Sequence, residues 1–353
     1  LKVRKAAGVV FTLLLTAALL YWFAGSADMG RVFREAAGAS PGFIALAVAG
    51  EVVSILLKAY RMRLMLRPVR ERAPFAPLLK ATVVSFAMSG VLPGRVGELA
   101  KPFLLARWLG LPFSPLLATA LLERVMDLVA LVLLWVAFVF WGLSHVAPSG
   151  AAYFPYFNAL TGLVLVAFVL TGVALAWLAP RRRVFQRGIR HSGRMKRHPW
   201  LARVLFALLK FSEGLGMFRR KRDILAVVAC SLATWGVLVI TSWAVVEALH
   251  ISIPLSGGIV LLLLVSLGAG LPTPGGVGGV HKAISFGLVT FYAVGVDEAV
   301  AVGIVGHAAM FFPGILWGLL YLAAGKVQLS ELKEELRTAD SRELVESPGE
   351  PVD

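Results

Sequence analysis

Hydrophobic and polar positions alternate along this chain in two patterns. Six apolar runs, near 6–23, 42–66, 114–141, 156–178, 223–248 and 297–325, are unbroken. Each is long enough to cross about 30 Å of hydrocarbon at roughly 20 helical residues per crossing. Two further regions, 75–110 and 256–294, are as apolar but are interrupted midway, by "VLPGRVGELAKPF" (91–103) and "LPTPGGVGGVHK" (271–282). Their halves, roughly 14–18 residues each, are short for a crossing. Prolines stop the incoming half-helices and glycines permit the turn, so each region predicts a re-entrant helical hairpin entering and leaving on one side. Non-helical backbone at membrane depth is tolerated only beside protein or a water-filled cavity. The predicted fold is an all-α polytopic membrane protein, with about six full transmembrane helices and two re-entrant hairpins around a cavity.

Composition supports that class: the 353 residues are 58% hydrophobic and 16% charged, with a mean hydropathy of +0.81. A soluble chain of that length would need a far more polar surface. Lys2, Arg4 and Lys5 ahead of the first run, with "GSA" at 25–27, also fit a signal peptide; the downstream topology is the same either way. The single cysteine, Cys230, excludes an internal disulfide. Histidines at 145, 191, 198, 250, 281 and 307 lack metal-ligand spacing, so no metal site is expected. "GGVGG" at 275–279 is not a nucleotide-binding glycine pattern, no Walker motif occurs, and no cofactor is expected.

Charge orients the crossings. Fourteen Lys/Arg and one acid, Glu213, lie between Arg181 and Arg222, and the stretch after the second run adds Arg61, Arg63, Arg67, Arg70, Arg72 and Lys80. Connections 142–155 and 249–258 contain no Lys or Arg. The positive-inside rule places the basic stretches and both termini in the cytoplasm. The first hairpin then enters from the cytoplasm and the second from outside. "SFAMSGVLPGRVGELAK" (85–101) aligns without a gap on "SLGAGLPTPGGVGGVHK" (266–282), pairing Ser85 with Ser266, Pro93 with Pro274, Gly94 with Gly275, Gly97 with Gly278 and Lys101 with Lys282. Opposite topology plus this match predicts an inverted-topology repeat, an architecture of alternating-access transporters.

Charges inside the crossings are the candidate chemistry. Glu123, Arg124 and Asp127 in "LLERVMDLVALVLLWVAF" lie roughly 13–20 Å along a helix starting near Ser114. Together they cost roughly 8–10 kcal/mol to insert, against about 5–9 returned by the apolar residues, so they must face protein or water. Glu123 and Asp127 share a face, and Arg124 reaches Asp127 at i+3. Two readings stay open, a structural ion-pair cluster or a cavity-lining relay and headgroup contact. Glu51 and Lys58, two turns apart on one face, join the same network unless Lys58 snorkels to the cytoplasmic side. His307, among Gly303, Gly306 and Ala308, reads either as a tightly packed histidine or as a proton shuttle.

In the first break, Pro93, Gly94 and Gly97 let backbone amides converge, and Glu98 and Lys101 fall i,i+3 at the start of the outgoing half-helix. That amino end suits a carboxylate cap and also a phosphate. Arg95 is the candidate for direct phosphate contact, unless it pairs with Glu98 to close the turn. The second break, with Pro272, Pro274, Gly275, Gly276 and Gly278, is mostly backbone, with His281 and Lys282 just beyond. The basic loop 180–222 serves as a topological determinant, and 198–220 has the spacing of an interfacial helix on an anionic leaflet. It lacks a nucleic-acid recognition module, so no nucleic-acid partner is expected.

In their order and spacing, "LPGRVGELAKPFLL", "LLERVMDLVAL" and "LPTPGGVGGVHKA" resemble the membrane domain of bacterial lysylphosphatidylglycerol synthases, which also occurs alone as a flippase-like family. The resemblance covers about residues 5–325 and implies movement of lipids between leaflets. It also implies functional roles for three motifs: Pro93, Gly94, Arg95, Gly97 and Glu98; Glu123, Arg124 and Asp127; and Pro272, Pro274, Gly275, Gly276 and Gly278. Many members of the family it resembles carry a glutamate at the position of His281, so a role for that acid does not transfer. After Gly325 come 28 residues with eight acids and four bases. No aminoacyl-transfer domain is expected in this polar tail, 326–353, and membrane domain 1–325 carries the function.

The combined expectation is a non-enzymatic lipid transporter of a bacterial or archaeal plasma membrane. Its partners would be lipids with anionic or phosphate-bearing headgroups. A homo-oligomer is compatible with the sequence. With no ATPase motif, movement is passive or ion-coupled, with Glu123 and Asp127 as candidate proton carriers. The alternative is a proton-coupled transporter of a small soluble anion.

Overall fold

The structure, a computed structural model, describes residues 2–324 apart from 26, 68, 92–95, 112, 160–161, 164–165 and 167–220. In chain order come α1 (Lys2–Ala24), α2 (Met29–Ala37), α3 (Pro41–Leu66), α4 (Phe75–Val91), α5 (Val96–Leu109), α6 (Phe113–Trp141), the short α7 (Pro148–Ala151), α8 (Lys221–Ala248), α9 (Leu255–Ala269), α10 (Gly279–Tyr292) and α11 (Val296–Ala323). No strand occurs among the described residues. Helices α3, α6, α8 and α11 are long and apolar enough to cross a membrane, and α1 covers the first expected run. The expected run 156–178, the basic loop and the acidic tail lie largely or wholly outside the described residues, as do Pro93, Gly94 and Arg95. This is a polytopic membrane protein.

Local sequence sets the helix ends. Pro41 opens α3, where a missing N–H removes no helical bond. Asp28 caps α2 by accepting from the N–H groups of Gly30 at 2.8 Å and Arg31 at 3.3 Å. Helix α2 was not expected, because "MGRVFREAA" is too short and polar to register as a crossing. It docks on the start of α11, where Asp297 Oδ1 accepts the Asp28 N–H at 2.8 Å, with Val32 fully buried.

Helix α11 is the central element: 56% of its apolar window is buried, against 17% for α6, which lies at the periphery. One hydrophobic cluster joins residues of α8 to α11, and a second joins α3, α4 and α5. Close approach of α11 to α4 depends on Gly318, because a Cβ there would strike the backbone of Val83.

Both interrupted regions fold as pairs of short helices that pack on each other, α4 with α5 and α9 with α10. In the first pair the Ser85 hydroxyl donates to the Gly97 carbonyl at 2.7 Å. In the second, residues 270–278 turn through Gly275, Gly276 and Gly278, at φ of 58°, 73° and 82°. That left-handed region disfavours any residue with a Cβ. The second turn meets the end of α4: a Cβ on Gly275 would stand 3.3 Å from the carbonyl oxygen of Gly90.

Candidate functional site

A cavity of about 550 Å³ opens between α3, α4, α5, α6, α8, α9, the turn after α9 and α11. Its size falls in the range of about 300–1,000 Å³ usual for small-molecule sites. Its described lining includes four acids, Glu51, Glu98, Glu123 and Asp127, and four bases, Lys58, Arg61, Lys101 and Arg124. Helix periodicity explains their convergence. Glu51, Lys58 and Arg61 are spaced i, i+7 and i+10 along α3; Glu98 and Lys101 are i,i+3 on α5; Glu123 and Asp127 are i,i+4 on α6. Ser85 of α4 and Ser266 of α9, paired in the sequence alignment, both line it.

Two ion pairs tie the wall together. Lys101 Nζ donates to Glu123 Oε1 at 2.9 Å and Oε2 at 2.8 Å, with both residues buried. This pair joins α5 to α6. Arg61 Nη1 donates to Asp127 Oδ1 at 2.8 Å and to the Ser231 hydroxyl at 3.2 Å. The Trp235 indole N–H donates to the same Asp127 oxygen at 3.2 Å, so α3, α6 and α8 meet at one carboxylate. Short charge-assisted bonds of this kind are the strong ones.

The remaining charges are held more loosely. Arg124, with 52% of its side chain exposed, stands 3.5 Å from Asp127 and 3.6 Å from Glu98, beyond good hydrogen-bond distance. Lys58 Nζ lies 5.0 Å over the Phe86 ring. Among the described residues neither Lys58 nor Glu51 has an opposite charge within the 4.0 Å that defines an ion pair.

The structure therefore brings together Glu51, Lys58, Glu98, Lys101, Glu123, Arg124 and Asp127 with Gly275 and Gly276. It does not bring His281 or Lys282 into the cavity. His281 Nδ1 accepts the Gly278 N–H at 3.3 Å, and its ring lies 4.4 Å from that of His307. Lys282 Nζ sits 4.4 Å over the Trp22 ring of α1. The alignment partners Lys101 and Lys282 thus occupy different environments. His307 Nε2–H donates to the Gly275 carbonyl at 2.9 Å, a packed histidine that braces the second turn from behind. Lys58 points into the cavity rather than snorkelling.

Arg61, read from sequence as one of the cytoplasmic basic charges, is 2% exposed and pairs with Asp127. Its place on the Glu51–Lys58 face was the signal that could have moved it into the site. Trp235, Ser231 and Thr273 were missed as well, since no motif marks a polar side chain in an apolar helix or turn.

These features define a class: an all-helical membrane protein whose broken helices enclose a cavity lined with charge. The chain belongs to the family described as the lysylphosphatidylglycerol synthase TM region, which matches residues 7–318. It is 23% identical over 332 residues to a UPF0104 membrane protein of Methanothermobacter thermautotrophicus, covering 88% of this chain and 92% of that one. A UPF0104 membrane protein of Pyrococcus horikoshii is 22% identical over 329 residues, covering 88% and 95%. The glycosyltransferase AglD of Haloferax volcanii is 27% identical over 372 positions, which span 97% of this chain and 58% of that protein.

Proposed function

We propose that this protein is a transporter, not an enzyme, and moves a lipid with a phosphate-bearing headgroup between leaflets. The headgroup crosses through the charged cavity while the acyl or prenyl tails stay in the bilayer. The observation carrying this reading is the set of eight ionisable side chains, among the described residues, around one cavity in a membrane protein. Ionisable residues at such depth are expensive and default to pathways and relays. Membership of a family named for a lipid-modifying synthase supports a lipid cargo.

In this reading the two hairpins are re-entrant and related by an inverted repeat, and their meeting at Gly90 and Gly275 is the gate region. Both termini face the cytoplasm, and transport is passive or coupled to an ion gradient. The test is reconstitution into liposomes. Transfer of a labelled anionic phospholipid or polyprenyl phosphate should accelerate with the protein, and Arg124→Ala should reduce that acceleration. A neutral diacylglycerol should not compete. If neither lipid moves faster, with or without a proton gradient, the lipid reading fails. Exchange of a soluble anion under those conditions would replace it with a small-anion transporter.

A further inference from the structure

The four cations among the described lining residues are not equivalent. Lys101 is held by both oxygens of Glu123, and the Arg61 Nη1 by Asp127. Arg124 is shared between two carboxylates. Lys58 alone among the described lining cations has no carboxylate within the 4.0 Å limit; its neighbour is the Phe86 ring. Two lining residues also keep a buried polar atom without a hydrogen-bond partner: Arg61 at Nε and Thr273 at its hydroxyl. Arg61 is 2% exposed and Thr273 4%. Buried polar atoms are almost always satisfied, and exceptions call for a ligand or another explanation. Here both are donor groups, and Arg61 lies one helical turn from Lys58 on the same face.

We propose that Lys58, with the Arg61 Nε–H and the Thr273 hydroxyl, forms the oxyanion-binding point of the cavity. The bound chemistry is a phosphate monoester or diester oxyanion. Lys101 and the Arg61 Nη group are then braces that hold helices together and do not contact the cargo. Glu51, the other described lining charge without an opposite charge within 4.0 Å, sits two turns earlier on the same face of α3 and faces the cavity with Lys58. The site rests on the transport reading only for the source of the oxyanion, a lipid headgroup rather than a free phosphate.

Calorimetric titration of the purified full chain in detergent tests the site without requiring transport. Dioctanoyl phosphatidate and inorganic phosphate are the two probes. The parent should bind phosphatidate, Lys58→Gln should weaken binding roughly tenfold or more, and Lys58→Arg should retain most of it. Thr273→Val, similar in shape, should weaken it about fivefold through the lost hydroxyl. Lys101→Gln should instead lower the melting temperature. Binding of phosphatidate but not phosphate assigns the oxyanion to a lipid. Binding of phosphate alone, still lost in Lys58→Gln, keeps the site and removes the lipid reading. The proposal is overturned if neither probe binds the parent, or if a folded Lys58→Gln binds as the parent does. Should Lys58→Gln fail to fold, unchanged affinity in Thr273→Val overturns it.

Discussion

Glu123→Gln removes one partner of the most enclosed ion pair in the cavity wall. Glu123 is 3% exposed and Lys101 8%, and the ammonium meets the two carboxylate oxygens at 2.9 and 2.8 Å. Unit charges at that separation attract by roughly 6 kcal/mol at an effective dielectric of 20, an attraction offset by the several kcal/mol needed to desolvate each ion. The intact pair therefore adds little net stability. Breaking it does not share that balance, because a buried ammonium is left without its counter-charge, at a cost of about 3–5 kcal/mol. Thermal unfolding in one detergent should show a melting temperature lower by on the order of 10 °C. Replacing both partners, as Lys101→Met with Glu123→Leu, should restore much of the loss. Arg31→Gln is the control: its contact with Asp297 is 3.9 Å long and 67% of the Arg31 side chain is exposed, so its loss should cost under about 1 kcal/mol. If Glu123→Gln melts with the parent, the pair is not a brace, and Glu123 is free to act on cargo or protons.

His307→Phe leaves the buried Gly275 carbonyl without the N–H that reaches it at 2.9 Å, and should cost about 1–3 kcal/mol in the same melts. Gly275→Ala places a Cβ at φ 58° beside the Gly90 carbonyl. It should destabilise by roughly 1–2 kcal/mol from the backbone conformation alone and impair transport further by parting the second turn from the end of α4. Topology is checked with cysteines in a Cys230→Ala background: Ser149→Cys and Ser256→Cys should react with an impermeant thiol reagent in intact cells, and Ser192→Cys only after permeabilisation. Labelling of positions 149 and 192 from the same side would remove the inverted repeat.

Long elements were legible in the sequence because their signal is local. The runs at 42–66, 114–141, 223–248 and 297–325 correspond to α3, α6, α8 and α11 within a few residues. The two breaks fall where the short helices turn, because proline and glycine act on their own backbone. The nine polar-faced residues of α2 escaped, since their helix is fixed by the Asp28 cap and by Asp297, 269 positions away. Site residues divide in the same way. Glu123 and Asp127 stand out in any apolar helix, and Glu98 and Lys101 flank a break. What each one touches is set by packing between helices. No spacing rule joins Lys101 to Glu123 or Arg61 to Asp127, across 22 and 66 positions. Lys282 shows the converse error: it matches Lys101 in the alignment, yet its helix turns it toward Trp22.

Plugging the cavity tests most directly whether cargo passes through it. Ser89 lines the cavity, so Ser89→Cys in the Cys230→Ala background offers one thiol there for a bulky maleimide. In liposomes the unmodified variant should accelerate transfer of a labelled anionic phospholipid as the parent does, and the modified one should fall to the protein-free rate. The parent without cysteine should be indifferent to the reagent. Transfer that continues unchanged through fully modified protein would contradict passage through this cavity.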